Sequence, residues 1–429
     1  VGSVQEVHDM TALQIDADSH WTATRTEWRR HWPTGVATLL GLGLGASIFP
    51  NISSLFILPL QSAFGWSRGE IAMANNAALI LALLNPAIGR LIDRHGARPV
   101  LLCGFVGVAA AWTGLSLMPG SIWIYYALFA FLSLSGFATS GVGFSRAMAA
   151  VFVRSRGFSL AVGRCGLALM AASLPPLLFA LMQWGGWRTG YAAMATLTVL
   201  IAIPAVYWGI ERDRQNHAIR QTPAGLDSEG GGALSWRDLL RDPRVWAITA
   251  GAACAYMPLL AIISQLQPLL IEVGLTAPRA AAMVGMLGLA ALAGAFGAGL
   301  LLDRANATMT AAGIMLLSAL GVGCLLLSGH DTRFAYIGVI LIGASQGAEI
   351  DIVAFMIARY FPIARFGSVF GICTVGITSA GVLGMAGIGV MFDRTGGYAV
   401  SLIIALVLFV CAALAYVVLG RLPVERHPD

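Results

Sequence analysis

Gly89-Arg90-Leu91-Ile92-Asp93-Arg94-His95-Gly96-Ala97-Arg98 sits between two long apolar runs. Charges this dense cannot lie in hydrocarbon, so the stretch reads as a short turn in water joining two membrane-spanning helices. Gly96 can supply a left-handed turn residue, and Gly89 lets a neighbouring helix come close. Asp93 can pair with Arg94 and Arg98 at the membrane surface. Exposed pairs of this kind contribute little to stability. At a joint between two moving bodies they can be made in one state and broken in the other.

The whole chain has the same character. Its 429 residues are 58% hydrophobic and 11% charged, with a mean hydropathy of +0.78. A soluble domain is about 25% charged, so the expected class is all-α integral membrane. At about 20 apolar residues per crossing, hydropathy predicts twelve transmembrane helices. They lie at 34–60, 70–91, 98–118, 122–152, 157–183, 189–209, 245–271, 279–302, 307–328, 334–360, 366–391 and 397–420. The predicted organisation is a cytoplasmic tail (1–31), a six-helix bundle (32–209), a cytoplasmic connector (210–244), a second six-helix bundle (245–420) and a short tail (421–429).

The two bundles read as parallel repeats. Asp93-Arg94 recurs 210 residues on as Asp303-Arg304, Gly157 recurs as Gly367 at the same offset, and Gly65 recurs as Gly274 at 209. Parallel six-helix repeats hold a substrate between them near the midplane. The basic residues, all arginine, give the orientation. If both termini are cytoplasmic, only Arg68, Arg188, Arg279, Arg333 and Arg394 fall on outer loops. Arg146 and Arg164 are left inside the membrane. The remaining arginines are cytoplasmic.

An intramembrane charge is costly and marks a candidate site. Arg146 and Arg164 lie on antiparallel neighbours, the fourth and fifth spans, at similar depth in the inner half. Arginine offers a bidentate fork to a carboxylate, so an anion site or inner gate is one reading. A scaffold pair held by helix carbonyls or Asp93 is the other. The tenth span carries two acids, Glu349 and Asp351. At 100° per residue they point about 200° apart, so one straight helix cannot aim both at one cavity: one faces the pathway and the other is held between helices, or both are structural, bonded to polar groups on neighbouring helices. Gln346, Glu349, Val353 and Met356 share a face; Asp351 shares the opposite one with Phe355, toward Arg359. A desolvated carboxyl resists ionisation and can take up a proton near neutrality. In the seventh span, Pro258 and Pro268 should loosen the helix around Ser264-Gln265-Leu266-Gln267. Asn51, Gln265, Gln346 and Tyr256 are candidate polar contacts to a substrate.

Other classes are disfavoured. The net charge of +5 does not point to nucleic acid, and the six cysteines lie in apolar runs without metal spacing. No His, Cys or Ser with acid suggests catalysis, so no enzyme, cofactor or metal is expected.

The opening decapeptide resembles the signature of the major facilitator superfamily, with Gly89, Leu91, Asp93, Arg94, Gly96 and Arg98 at its strong positions. Further landmarks are Phe64-Gly65-Trp66-Ser67-Arg68, Arg156-Gly157-Phe158-Ser159, Gly186-Trp187-Arg188, Gly347 to Gly367, and Phe392-Asp393-Arg394-Thr395-Gly396-Gly397-Tyr398. Together these resemble the bacterial monocarboxylate-transporter-like branch, with relatives among oxalate:formate exchangers. The resemblance implies a monomeric, alternating-access carrier in the bacterial inner membrane. Its cargo would be a small organic anion, a monocarboxylate or aromatic acid, in symport with a proton. Arg164, Arg146, Gln265, Asn51, Gln346 and Tyr256 would hold the substrate, and Glu349 or Asp351 the proton. Gly89, Asp93, Arg94, Gly96 and Arg98, with Asp303 and Arg304, would latch the cytoplasmic side. The branch's lysine of span eleven and arginine of span eight are absent, so an anion site would be built around Arg164. A proton-antiport exporter of a drug or hydrophobic metabolite is the alternative.

Overall fold

The structure, a computed structural model, describes residues 25–77, 91–92, 94–139, 141–152, 156–210, 239 and 241–422. Every regular element among them is helical, as a chain in hydrocarbon requires of backbone groups that have no water to bond. Eleven of the helices are long and apolar enough to cross a membrane. The predicted span at 70–91 is described only where it begins, at Arg68–Met73 and shortly after. Large apolar side chains such as Leu117, Leu200, Val375 and Leu414 line the outside, where only lipid makes their exposure favourable.

The first and seventh spans are broken. The first runs as helix over 25–44, turns at Gly45 (φ −69°, ψ 176°), passes through a 3-10 turn at Ala46–Ile48 and resumes at Phe49–Phe64. The seventh breaks at Gln265 (φ −115°, ψ 12°) between Pro243–Ser264 and Leu266–Glu272. Proline's ring collides with the carbonyl four residues back. For Pro268 that carbonyl belongs to Ser264, so the break falls where the second proline puts it. Pro258, also expected to loosen this span, stays inside unbroken helix.

The repeat is visible in the backbone. Gly65 (φ 71°) and Gly274 (φ 98°) take left-handed turns ahead of the second and eighth spans, and Gly186 (φ 74°) and Gly396 (φ 73°) do so ahead of the sixth and twelfth. The second of these pairs again differs by 210 residues. The fifth span packs on the first through Gly166, where an added Cβ would lie 1.9 Å from the Leu39 carbonyl oxygen. The eleventh packs on the seventh through Gly384, 2.1 Å from that of Met257. Buried apolar side chains gather into two large clusters, one from Ala37 to Ile210 with Ala281, the other from Leu239 to Leu419.

One face carries the start of the first span and the end of the sixth, tied by Thr34 Oγ1 donating to the Gly209 carbonyl at 2.7 Å. The tenth and twelfth spans end there too, joined by Tyr360 Oη donating to the Leu419 carbonyl at 2.9 Å. This is called the tail face below. The four left-handed glycines mark the far face. Gly166→Ala should force the first and fifth spans apart at an overpacking cost of about 1–3 kcal/mol, read as a clear drop in melting temperature in detergent. Gly297→Ala, where no atom lies within 4 Å of the new Cβ, should melt like the parent.

Candidate functional site

The two halves meet tightly toward the far face. Gly285 and Gly288 of the eighth span (Ala277–Arg304) press on Ala171, Ala172 and Pro176 of the fifth (Arg156–Gly185). The eleventh span (Ile363–Thr395) meets the start of the second, with Gly389 against Arg68 and Ala72. Asp393 closes this second contact. Its carboxylate accepts the backbone N–H of Arg68 at 3.1 Å and of Gly69 at 2.7 Å, the donors that a helix start leaves without intrahelical partners. Ser67 and Glu70 cap the same helix start reciprocally. The Arg68 guanidinium lies 3.6 Å from the centre of the Phe392 ring and donates to Tyr398 Oη. Tyr398 Oη in turn donates to Gln265 Oε1 at 2.9 Å. The seal thus runs from the second span through the eleventh to the break in the seventh.

Toward the tail face lies the ion pair that joins the halves. Arg164 Nη1 donates to Asp351 Oδ1 at 2.5 Å. Arg164 is eight residues into the fifth span and Asp351 nine from the end of the tenth (Arg333–Tyr360). At 1.5 Å per residue both sit roughly 12–13 Å inside the tail-face ends. Their side chains are 53% and 35% exposed, so the pair stands in an opening between the halves. Among the described residues Asp351 pairs with Arg164 and not with Arg359; Asp93, considered as a partner of Arg164, lies outside the described residues. Arg146 is exposed on the neighbouring fourth span and has a partner of its own.

Glu349 is the acid held between helices. It is 3% exposed, and neither of its oxygens has a hydrogen-bond partner among the described residues. It shares its electrostatic surroundings with the hydroxyls of Tyr256 and Tyr416, inside its own half. Val353 and Met356, predicted on its face, are buried with it. Deeper toward the far face, Gln346 Nε2 donates to Asn51 Oδ1 at 3.4 Å, a further polar contact across the halves. Gln265, a candidate substrate contact, is 1% exposed and engaged by Tyr398. It borders a small cavity of about 20 Å³, lined also by Ser53, Asn75, Tyr125, Tyr191 and Ser264, with room for about one water.

Of the signature loop, Gly89 and Asp93 lie outside the described residues, as does the side chain of Asp303. Gly96 has the expected positive φ of 82° and donates to the Ile92 carbonyl at 2.9 Å. Arg98 stacks over Tyr207 at 4.5 Å, within its own half, and Arg94 and Arg304 are exposed. A closed polar seal lies at the other face, where Asp393 caps the start of the second span. Sequence reasoning passed over Asp393 as a residue with a role, although Phe392 to Tyr398 had been noted as a landmark.

A model of the Major Facilitator Superfamily matches residues 35–350 and 272–429. The uncharacterized MFS-type transporter YcxA of Bacillus subtilis is 24% identical over 395 residues, 89% of this chain and 93% of that protein. Among solved structures, a bacterial homolog of the human lysosomal transporter Spinster, inward-facing and unoccupied, aligns with a TM-score of 0.70 at 15% identity. It covers 92% of this chain and 97% of that one. A D-xylose-proton symporter gives 0.69 at 15% identity, covering 89% and 96%. The nucleoside transporter NupG gives 0.73 at 12% identity, covering 91% and 99%.

Removing the Asp393 cap should loosen the far-face seal. A helix cap is worth about 1 kcal/mol, so Asp393→Ala should raise the labelling rate of a cysteine placed at Ser264 by about fivefold. The reagent is an impermeant maleimide applied from the far face, in a background without the six native cysteines.

Proposed function

This chain belongs to the Major Facilitator Superfamily, a family of transporters, and we propose that it is a secondary carrier of a small organic anion, a monocarboxylate or aromatic acid, moved with a proton by alternating access. The observation that carries this reading is the Arg164–Asp351 pair. A guanidinium standing in an opening between two halves offers a carboxylate cargo a planar set of donors. Its counter-ion belongs to the other half, so whatever occupies the site is touched by both.

The arginine bias supports a cytoplasmic tail face and a bacterial inner-membrane protein with both termini inside. On that orientation the conformation described is closed outward and open inward. Rocking the halves would break the Asp393 cap on the second span and bring the tail-face ends together. The signature residues Asp93, Arg94 and Arg98, with Asp303 and Arg304, would then hold the closed inner side. Asn51 and Gln346 would meet the cargo from opposite halves, with Arg146, Gln265 and Tyr256 as further contacts. One acid of the tenth span, Glu349 or Asp351, would carry the proton. The protein would work as a monomer in the bilayer.

Glu349 favours a second reading, export of a drug or hydrophobic metabolite by proton antiport. A carboxyl buried without a partner in apolar surroundings suits a neutral or cationic cargo better than an anionic one.

Counterflow of radiolabelled acids in proteoliposomes separates the two readings, since exchange needs no driving force. Hydrogen bonds to a charged group are worth roughly 1.5–3 kcal/mol, so Arg164→Ala should weaken acid exchange by about tenfold or more. Exchange of hydrophobic amines instead, untouched by Arg164→Ala, would establish the exporter.

A further inference from the structure

We propose that Asp351 is the proton-carrying acid and that it is linked to the cargo by exchange on Arg164. The cargo carboxylate takes over the guanidinium, Asp351 is released, and the released carboxylate takes the proton. This rests on the reading of Arg164 as an anion site and goes beyond it by assigning the coupling step.

The geometry of the pair supplies the argument. Asp351 holds Arg164 at one point, Oδ1 on Nη1, whereas a guanidinium carries five N–H donors in a fixed fork. A cargo carboxylate can approach the unused donors while the first contact is still made. It can then displace a one-point partner with a two-point one. The Arg164–Asp351 pair is electrically balanced, one positive group against one negative. Adding an anion alone would leave a net negative charge in a partly desolvated space, which is costly. Adding the anion and a proton keeps the balance. The proton comes from hydronium in the opening. An O–H bond forms on the Asp351 carboxylate and water is left behind, so atoms and charge are conserved.

Among the described residues Asp351 has no ionic partner besides Arg164, and Arg146 on the neighbouring fourth span has a partner of its own. The helices packed against its own carry charged residues only near their ends: Arg244 on the seventh; Arg279, Asp303 and Arg304 on the eighth; and Arg365, Asp393 and Arg394 on the eleventh. The ninth, Ala307–Leu327, has none. On its own helix Glu349 points to the opposite side and Arg359 lies two turns on. Among the described residues Arg164 is the ionic partner of Asp351. Glu349 is sealed inside its half and touches nothing that a cargo could displace, so its protonation has no route to sense whether the site is filled. The sign follows from mass action. Cargo binding should tighten as pH falls, because one proton joins the bound state, by up to about tenfold per pH unit.

The experiment is cargo binding by the purified full-length protein in weakly buffered detergent solution, with a pH dye reporting proton uptake. Benzoate and pyruvate are the acid probes and alanine the zwitterionic one. The proposal expects about one proton taken up per acid bound by the parent and by Glu349→Gln. Asp351→Asn should bind acid with no proton uptake and no pH dependence, and Asp351→Glu should restore both. If Asp351→Asn does not fold, Glu349→Gln alone decides the assignment. Loss of proton uptake in Glu349→Gln, or acid binding by the parent without any proton, would overturn the exchange step and leave the anion site standing. Binding of alanine but neither acid, or acid binding indifferent to Arg164→Ala, would sink the anion reading itself, and the exchange step with it.

Discussion

A guanidinium cannot be left alone in a membrane protein, and the arrangement of this molecule follows from how that demand is met. Arg164 is balanced by a carboxylate from the other half of the chain. Within one half, such a pair would be a fixed piece of scaffold. Placed between halves, it is an interaction whose existence depends on their separation. It stands partly exposed at a depth where pairing matters more than it would on the surface, and any charged molecule entering the opening must reckon with it. The same demand explains Glu349 by contrast. Its carboxyl has no ionic partner and is withdrawn from the opening altogether.

The far face is closed by different means. Its seal uses backbone donors at a helix start, an arginine laid on aromatic rings, and a tyrosine bonded to the glutamine at the seventh-span break. These contacts are individually modest, and modest contacts suit a joint that must open on each cycle. The seal is also lopsided across the repeat. The second and eleventh spans are joined by Asp393, whereas the eighth and fifth, their counterparts, are joined by bare glycine-to-backbone packing. One joint can therefore be released by breaking a few polar bonds while the other serves as a close, smooth contact on which the halves turn.

Much of the fold was legible in the sequence because hydrocarbon leaves so few options. Runs of apolar residues had to be helices, and the charged turns had to be loops. The recurrence of Gly65 one half later as Gly274 reappears in the structure as a pair of matching left-handed glycines. The 200° separation of Glu349 and Asp351 was likewise readable, and one acid is indeed buried while the other is partly exposed. Their partners were not readable. Arg164 and Asp351 are 187 residues apart, and their meeting depends on how two bundles lean together, which no local pattern encodes. The role of Asp393 was hidden for a different reason. Its partners are backbone N–H groups, which every helix start possesses, so no residue type announces them. Gln265 looked like a cavity residue because it is polar in an apolar span. The same polarity serves equally well to tie a broken helix to Tyr398.

The central claim is that the halves close the far face here and trade that closure for the tail face when cargo and proton arrive. Spin-label distances test it most directly. One pair would be placed on the tail face at His95 and Ala305, the other on the far face at Ala63 and Arg394, in the full-length protein in lipid. On adding an exchanged acid at low pH, the account predicts that the tail-face distance shortens and the far-face distance lengthens within the same population. Two distances that stay fixed, or that shorten together, would contradict it.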